Sequence, residues 1–249
     1  MNIKQKIADE FSKYAESYNQ NAILQKKVAE NLANLIKAEL SQNSKILDIG
    51  SGTGFIAEFL GEFNIIQSDF SFEMCNINKK FGKSIVADFD ALPFQKNSFD
   101  FVTSSLALQW SLDIEKTFVE IQKIIIQNGV FVFSIFGQKT LQELKFCSEK
   151  LDIKSNNNFH SLEKIISALE KNNFEIISSK IENNIIEYKS LLAMLNSMKS
   201  IGAGVNLDES KKSLTKSQIK NIEKIYIENY SNKFPTTWEI YYIIAKKIL

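Results

Sequence analysis

Arginine is absent from this sequence, and all thirty basic residues are lysines. Without a guanidinium there is no planar fork to grip a carboxylate or phosphate through two parallel hydrogen bonds, so any anion must be met by lysine, hydroxyls, amides or helix N-termini. Histidine occurs once, in Asn158-Phe159-His160-Ser161. A zinc site or a Ser-His-Asp triad is therefore not expected, and His160 suits a surface or capping role near a helix start. Cys75 and Cys147 are the two cysteines, far apart and without metal-ligand spacing. They fit reduced, buried thiols and exclude a disulfide framework. No run reaches the roughly eighteen apolar residues of a membrane span, and Met1-Asn2-Ile3-Lys4-Gln5-Lys6 lacks the apolar core of a signal peptide. Thirty basic against twenty-nine acidic residues leave a net charge of +1, too small a field to draw nucleic acid. The expectation is a cytoplasmic protein with no metal, no membrane and no nucleic-acid partner.

Glycine is scarce, nine in 249 residues, yet three fall within five positions. They close the segment Ile46-Leu47-Asp48-Ile49-Gly50-Ser51-Gly52-Thr53-Gly54, in which apolar residues read as the end of a buried strand. Phe55-Ile56-Ala57-Glu58-Phe59-Leu60 follows as a helix start. Strand, glycine turn and helix together bring backbone N–H groups close to a nucleotide-like ligand. The spacing is G-x-G-x-G, not the G-x-G-x-x-G of a dinucleotide site.

Acids recur where the next strands end. Asn64-Ile65-Ile66-Gln67-Ser68-Asp69 reads as a second strand, and Asp69 stands 21 residues beyond Asp48. An acid at about that distance can accept both ribose hydroxyls; a helix N-cap for the segment from Ser71 is the other reading. Ser84-Ile85-Val86-Ala87-Asp88 is the third strand and Ser98 to Ser105 the fourth. Val130-Phe131-Val132-Phe133-Ser134-Ile135-Phe136 is a continuous apolar run suited to a buried fifth. Residues 174–181 make a sixth and 237–245 a seventh. Helices are expected over 3–18, 22–40, 112–126 and 161–171. Alternating strands and helices imply one open α/β domain. Its parts are two N-terminal helices (1–43), a core (44–186), a helical cap (187–233) with helices at 189–198 and 215–230, and the last strand (234–249).

The glycine segment with its preceding acid resembles the first motif of class I S-adenosylmethionine-dependent methyltransferases. Further segments resemble one family of that class, the malonyl-acyl-carrier-protein O-methyltransferases of biotin synthesis. They are Phe11-x-x-x-Ala15-x-x-Tyr18 with Leu24-Gln25, Ser105-Leu106-Ala107-Leu108-Gln109-Trp110, Met198-Lys199-Ser200-Ile201-Gly202-Ala203, Leu214-Thr215-Lys216 and Phe234-Pro235-x-Thr237-Trp238. Ser105 stands where that family usually has asparagine, and Lys216 where arginine is common.

The resemblance implies a Rossmann-like, seven-stranded, mostly parallel sheet with an antiparallel last strand and a helical cap. It implies S-adenosylmethionine held by Asp48, Gly50, Ser51, Gly52, Gly54, Asp69, Phe70, Asp88, Phe89 and Ser105, with Asp88 receiving the adenine amino group. Tyr18 and Trp110 would close the pocket, Gln109, Trp110 and Lys199 would meet the substrate, and no residue would act as general base. The activity implied is methylation of the free carboxylate of a malonyl thioester, on an acyl-carrier protein or coenzyme A. Carrier proteins are acidic, and Lys212, Lys216 and Lys220 share a helix face that could dock one; a solvated face is the plainer account of those lysines. Another carboxylate or quinone-precursor methyltransferase, or a non-catalytic cofactor-binding assembly factor, are the alternatives.

Overall fold

A computed structural model describes residues 3–40, 43–153, 159–202 and 214–248. Two helices open the chain, α1 (Ile3–Asn21) and α2 (Ile23–Lys37). The strands are β1 (Ile46–Ile49), β2 (Ile65–Asp69), β3 (Lys83–Val86), β4 (Phe99–Ser105), β5 (Ile125–Phe136), β6 (Phe174–Tyr188) and β7 (Phe234–Lys247). Between them run α3 (Phe55–Leu60), α4 (Phe72–Asn78), α5 (Ile114–Ile124), α6 (Gln142–Glu149), α7 (Leu162–Lys171), α8 (Leu191–Ser200) and α9 (Lys216–Tyr230).

The seven strands form one sheet in the order β3-β2-β1-β4-β5-β7-β6. β1 pairs parallel with β2 and β4, β2 with β3, and β4 with β5. β7 slots antiparallel between β5 and β6. The order reverses at β1, where the loops leaving β1 and β4 diverge and open a crevice at the strands' carboxyl ends. This is the expected class I methyltransferase architecture.

Each face of the sheet buries its own apolar layer. Leu32, Ile36, Ile56 and Leu60 from α2 and α3 meet Ile46, Val132 and Ile240 on one side. Phe118 and Ile121 of α5 and Ile165 and Leu169 of α7 meet Val102, Phe131 and Phe133 on the other. Phe131 and Phe133 stack with centroids 4.4 Å apart, and burying such a side chain fully is worth about 1.5–3 kcal/mol. A third cluster joins Cys147 of α6, Leu191 and Met194 of α8, Ile222 and Tyr226 of α9 and Phe234 of β7. The cap therefore has a small core of its own, in which α6 takes part. Thr215 caps α9 through a reciprocal pair with Gln218, as Ser71, Asp113, Ser161 and Ser190 cap α4, α5, α7 and α8 with one side-chain oxygen each.

Several boundaries differ from those read in the sequence. β6 runs to Tyr188, seven residues past 181 and into the segment assigned to the cap, because it follows β7 residue by residue down to Tyr188 opposite Phe234. β5 begins at Ile125, β3 ends at Val86 before Asp88, and α8 starts at Leu191 with Ser190 as its cap. Lys212 lies outside the described residues.

Candidate active site

A cleft of about 940 Å³, counting its open mouth, lies over the carboxyl ends of β1, β2 and β4, in the size range of ligand pockets. Its floor is the glycine turn. Gly50, with φ +64°, leaves no room for a side chain, since a Cβ there would collide with the Cβ of Ala107. A Cβ on Gly52 would instead meet nothing within 4 Å; its surface is open to the cleft. Gly54 does not line the cleft. A side chain at Gly54 would run into Gln67, Asn78 and Phe81, so this glycine serves packing of the turn against β2 and α4.

Three carboxylates converge on this floor. Asp48, in β1, is 1% exposed, and neither of its oxygens has a hydrogen-bond partner among the described residues. Burial, and then the charge of Asp69, push its pKa well above the usual carboxylate range. Asp69 ends β2. Its Oδ2 accepts from Gly52 N and its Oδ1 from Ser71 N, each at 2.8 Å, and burial raises its pKa against the pull of those bonds. Each oxygen keeps lone-pair capacity for a further donor. Asp88 accepts from Lys4 Nζ at 2.6 Å and from Asp90 N at 2.9 Å. Ser51, Phe70, Phe89 and Ser105 complete the sequence-predicted residues on the wall.

Helix α1 forms the roof. Lys4, Ile7, Ala8, Phe11 and Tyr18, at helical spacing, all line the cleft. Polar contacts fasten the helix down along its length. Lys4 holds Asp88 and Asp90, Ser12 meets Ser71 Oγ to Oγ at 2.8 Å, and Asn19 Oδ1 accepts from Thr53 at 2.5 Å. Phe11 packs edge-on against Trp110 with centroids 5.5 Å apart and lies 6.5 Å from Tyr18. Tyr18 also lies 6.2 Å from Phe55. Burial and the charge of Asp69 raise the Tyr18 phenol far above its ordinary pKa, which favours its protonated form at neutral pH.

Two expected substrate residues are not in this wall. Gln109 turns back on its own segment, its Nε2 donating to Leu106 O at 2.6 Å. Lys199, at the last turn of α8, is exposed on the surface and absent from the cleft lining. The reason is that α8 meets α1 through its C-terminal junction: a Cβ on Gly202 would come within 2.8 Å of the Phe11 ring. Lys216 and Lys220 are exposed on α9. His160 precedes α7 and does not touch the cleft.

Other site residues escaped the sequence reading. Lys4 gave no signal beyond being one lysine among thirty. Asn78, fully buried at the end of α4, donates from Nδ2 to Ser51 Oγ and Gly52 O, each at 2.9 Å, and so shapes the turn. Leu106 holds a left-handed backbone, φ +48°, with its N–H bonded to Ser134 O at 3.0 Å and Ser134 Oγ at 3.2 Å. No group of potential metal ligands occurs among the described residues, and no helix there is long and apolar enough to cross a membrane.

The lining suits S-adenosylmethionine. An unpartnered buried carboxylate calls for a cationic or N–H donor group, and that molecule carries a sulfonium, an ammonium, a ribose diol and an adenine amino group. A wall with three carboxylates and one lysine would repel a pyrophosphate.

Residues 47–133 match a family described as a methyltransferase domain. The chain is 30% identical to the malonyl-[acyl-carrier protein] O-methyltransferase of Gallionella capsiferriformans, across 96% of this chain and 89% of that one. It is 29% identical to the biotin biosynthesis bifunctional protein BioHC of Saccharophagus degradans, across 95% of this chain and 45% of that one. The YcgJ protein of Bacillus subtilis superposes with a TM-score of 0.62 at 18% identity, covering 87% of this chain and 98% of that one. With an open α/β sheet, an acid-lined cleft at its switch point and a 30% identical relative matched over nearly the whole chain, the chain belongs to the malonyl-[acyl-carrier protein] O-methyltransferase family and is an S-adenosylmethionine-dependent O-methyltransferase.

Proposed function

We propose that this enzyme methylates the free carboxylate of a malonyl group carried on acyl-carrier protein, and that the resulting ester serves biotin synthesis. The reading rests on one observation above others. The match to a relative of that name covers 96% of this chain, so it takes in α1, which roofs the cleft, and the cap as well as the generic core. Asp48 faces the cationic end of the cofactor, Asp69 its ribose and Asp88 its adenine. Ser51, Phe70, Phe89 and Ser105 line the remaining wall.

When bound, S-adenosylmethionine supplies a methyl group activated by its sulfonium. The residues of the chain bind, orient and exclude water. A malonyl carboxylate has an ordinary pKa of about 4 and is already an anion at neutral pH, so no side chain needs to remove a proton. That accords with a cleft whose tyrosine is held neutral and whose lining contains no imidazole. Tyr18, Phe11 and Trp110 form an aromatic screen, and alignment of anion and methyl group behind it is worth an effective molarity of about 10⁵–10⁸ M. The carrier approaches the cap, where the exposed Lys216 and Lys220 of α9 offer a basic face to an acidic partner.

The test is methyl transfer from labelled S-adenosylmethionine to malonyl-acyl-carrier protein, malonyl-coenzyme A and unloaded carrier, with mass spectrometry of the products. A monomethyl ester on the malonyl carboxylate is the expected result. Cofactor binding without any malonyl ester would overturn the substrate reading and leave the fold and cofactor standing.

A further inference from the structure

We propose that β6 is the contact strand of a two-fold dimer, pairing antiparallel with β6 of a second copy of this chain so that two seven-stranded sheets join edge to edge. The proposal is independent of which substrate the enzyme methylates.

β6 is the outermost strand beyond β7 and is fifteen residues long. Among the described residues its far side pairs with no other strand, and it presents a row of unpaired backbone N–H and C=O groups. Large apolar side chains sit in this row uncovered: Ile177 is 55% exposed, Ile181 48% and Ile185 69%. Natural edge strands discourage pairing with proline, with charges, with bulges or by being short; the register shift in β6 lies near its start, between Ile176 and Ser178. β6 contains no proline, and its Lys180 has an acidic complement two residues away, with Nζ 3.3 Å from Glu182.

The sequence of this stretch is self-complementary. From 177 to 185 it reads Ile-Ser-Ser-Lys-Ile-Glu-Asn-Asn-Ile. A two-fold axis through Ile181 sets Ile181 against Ile181 of the second copy and brings the bulged Ile177 alongside Ile185. Ser178 then faces Asn184, Ser179 faces Asn183, and Lys180 faces Glu182. Each apolar residue meets an apolar one, each polar residue a polar one, and each charge its opposite. Directly opposed pairs of these kinds stabilise antiparallel strands, and like charges in the same places oppose pairing. Because the axis generates the Lys180–Glu182 pair twice, the two lysines and two glutamates alternate in a closed four-charge cluster. The register shift between Ile176 and Ser178 leaves Ile177 without a partner in β7, so the regular part of the matched stretch is 178–185, with the axis at Ile181, and Ile177 flanks it at the bulge. A contact of this kind is isologous and closes at two copies.

The experiment is light scattering and sedimentation of the whole chain over a range of concentrations, with charge-swapped variants. The native protein should show a doubling of mass as concentration rises. Lys180→Glu sets glutamates opposite one another in both symmetric pairs, and Glu182→Lys does the same with lysines. Each variant should weaken self-association about tenfold or more, with melting temperature and methyl transfer as controls for folding. An equimolar mixture of the two variants recreates opposite charges at every pair and should dimerise again. A native chain that stays monomeric at every concentration overturns the proposal. So does a dimer indifferent to both substitutions, or a mixture that stays monomeric after each variant has lost self-association. Capture of an extended peptide from another protein along β6 without any native dimer would likewise replace a second copy as the occupant.

Discussion

The ammonium of Lys4 lies 2.6 Å from the carboxylate of Asp88, 84 residues further along the chain, and 2.6 Å from Asp90. This bridge joins the start of the roof helix to the loop after β3, at the end of the cleft where the adenine is proposed to sit. Burial works to lower the Lys4 pKa, but its hydrogen bonds to Asp88 and Asp90 outweigh it and the net shift is upward. A lysine raised in the folded state contributes its full stabilisation below about pH 10.5 and loses it as pH rises through the folded value. The tie therefore holds throughout the neutral range. Lys4→Ala should release the first turns of α1 and weaken S-adenosylmethionine binding by about 0.5–1 kcal/mol, a two- to fivefold rise in Kd visible by calorimetry and expressed in a faster off-rate. An unchanged off-rate would show that α1 stays shut without Lys4.

Asp48 presents the opposite case, a buried carboxylate without a hydrogen-bond partner among the described residues. Burial first, and the charge of Asp69 second, raise its pKa. The folded protein thus holds a proton that the unfolded chain gives up near pH 3.8, and the stability of the ligand-free enzyme falls as pH rises from there through the folded value. Affinity for a cationic cofactor moves the other way, rising over the same window as Asp48 ionises. Asp48→Asn should flatten both profiles. At neutral pH it should leave the melting temperature of the free enzyme equal or higher, and weaken cofactor binding by about 2 kcal/mol, some thirtyfold. Loss of melting temperature with intact binding would contradict the role given to Asp48.

Gly202 adopts φ +72°, and a methyl group there would press on the Phe11 ring at 2.8 Å. Phe11 in turn braces Trp110 and approaches Tyr18. Gly202→Ala carries about 1–2 kcal/mol of left-handed backbone strain and should lower Tm by roughly 2–8 °C. Because the displaced ring belongs to the aromatic screen, kcat should fall further than the loss of folded protein explains. Kinetics at a temperature where the variant is fully folded check this, and normal kcat there would confine Gly202 to packing.

The basic face of α9 is tested by charge reversal. Lys216→Glu with Lys220→Glu should raise KM for malonyl-acyl-carrier protein about five- to tenfold at low salt and leave KM for malonyl-coenzyme A nearly unchanged. The difference between the two substrates should shrink as salt is added. Equal effects on both substrates would point to the cap's shape rather than to carrier docking. Lys199→Ala, outside the cleft wall, should leave cofactor binding untouched.

What the sequence disclosed, and what it withheld, follow from different physics. Asp48, Gly50, Asp69 and Asp88 were legible because a parallel strand must end in a turn at the ligand, so chemistry sits at predictable distances from apolar runs. The far half of β6 was not, because Glu182-Asn183-Asn184 lacks the apolar alternation of a half-buried strand; its order comes from pairing with β7. α6 went unread because its buried residues, Glu143, Cys147 and Ser148, include two polar ones. Glu143 is held chiefly from far along the chain, accepting from the backbone N–H of Thr237 at 2.9 Å and from its hydroxyl at 2.5 Å, with Gln142 Nε2 a longer donor at 3.4 Å. Periodicity in α1 showed that Ile7, Phe11 and Tyr18 share a helical stripe, but a stripe does not say whether it covers a core or a cavity. Gly54 looked like part of the ligand cradle because glycines for close approach and glycines for packing are identical in one dimension.

The place of β7 also governs when the molecule can finish folding. It is the last strand in sequence, yet it lies inside the sheet, with β5 on one side and β6 on the other. During synthesis, β1 to β5 and the cofactor floor leave the ribosome first and can pair with one another as they appear. β6 then waits, fifteen residues long, with no neighbour to accept its hydrogen bonds until residues 234–247 arrive. Two strand edges that the finished sheet covers, one on β5 and the inner one on β6, therefore stay open for as long as α8 and α9 are being made, and a single late insertion closes both.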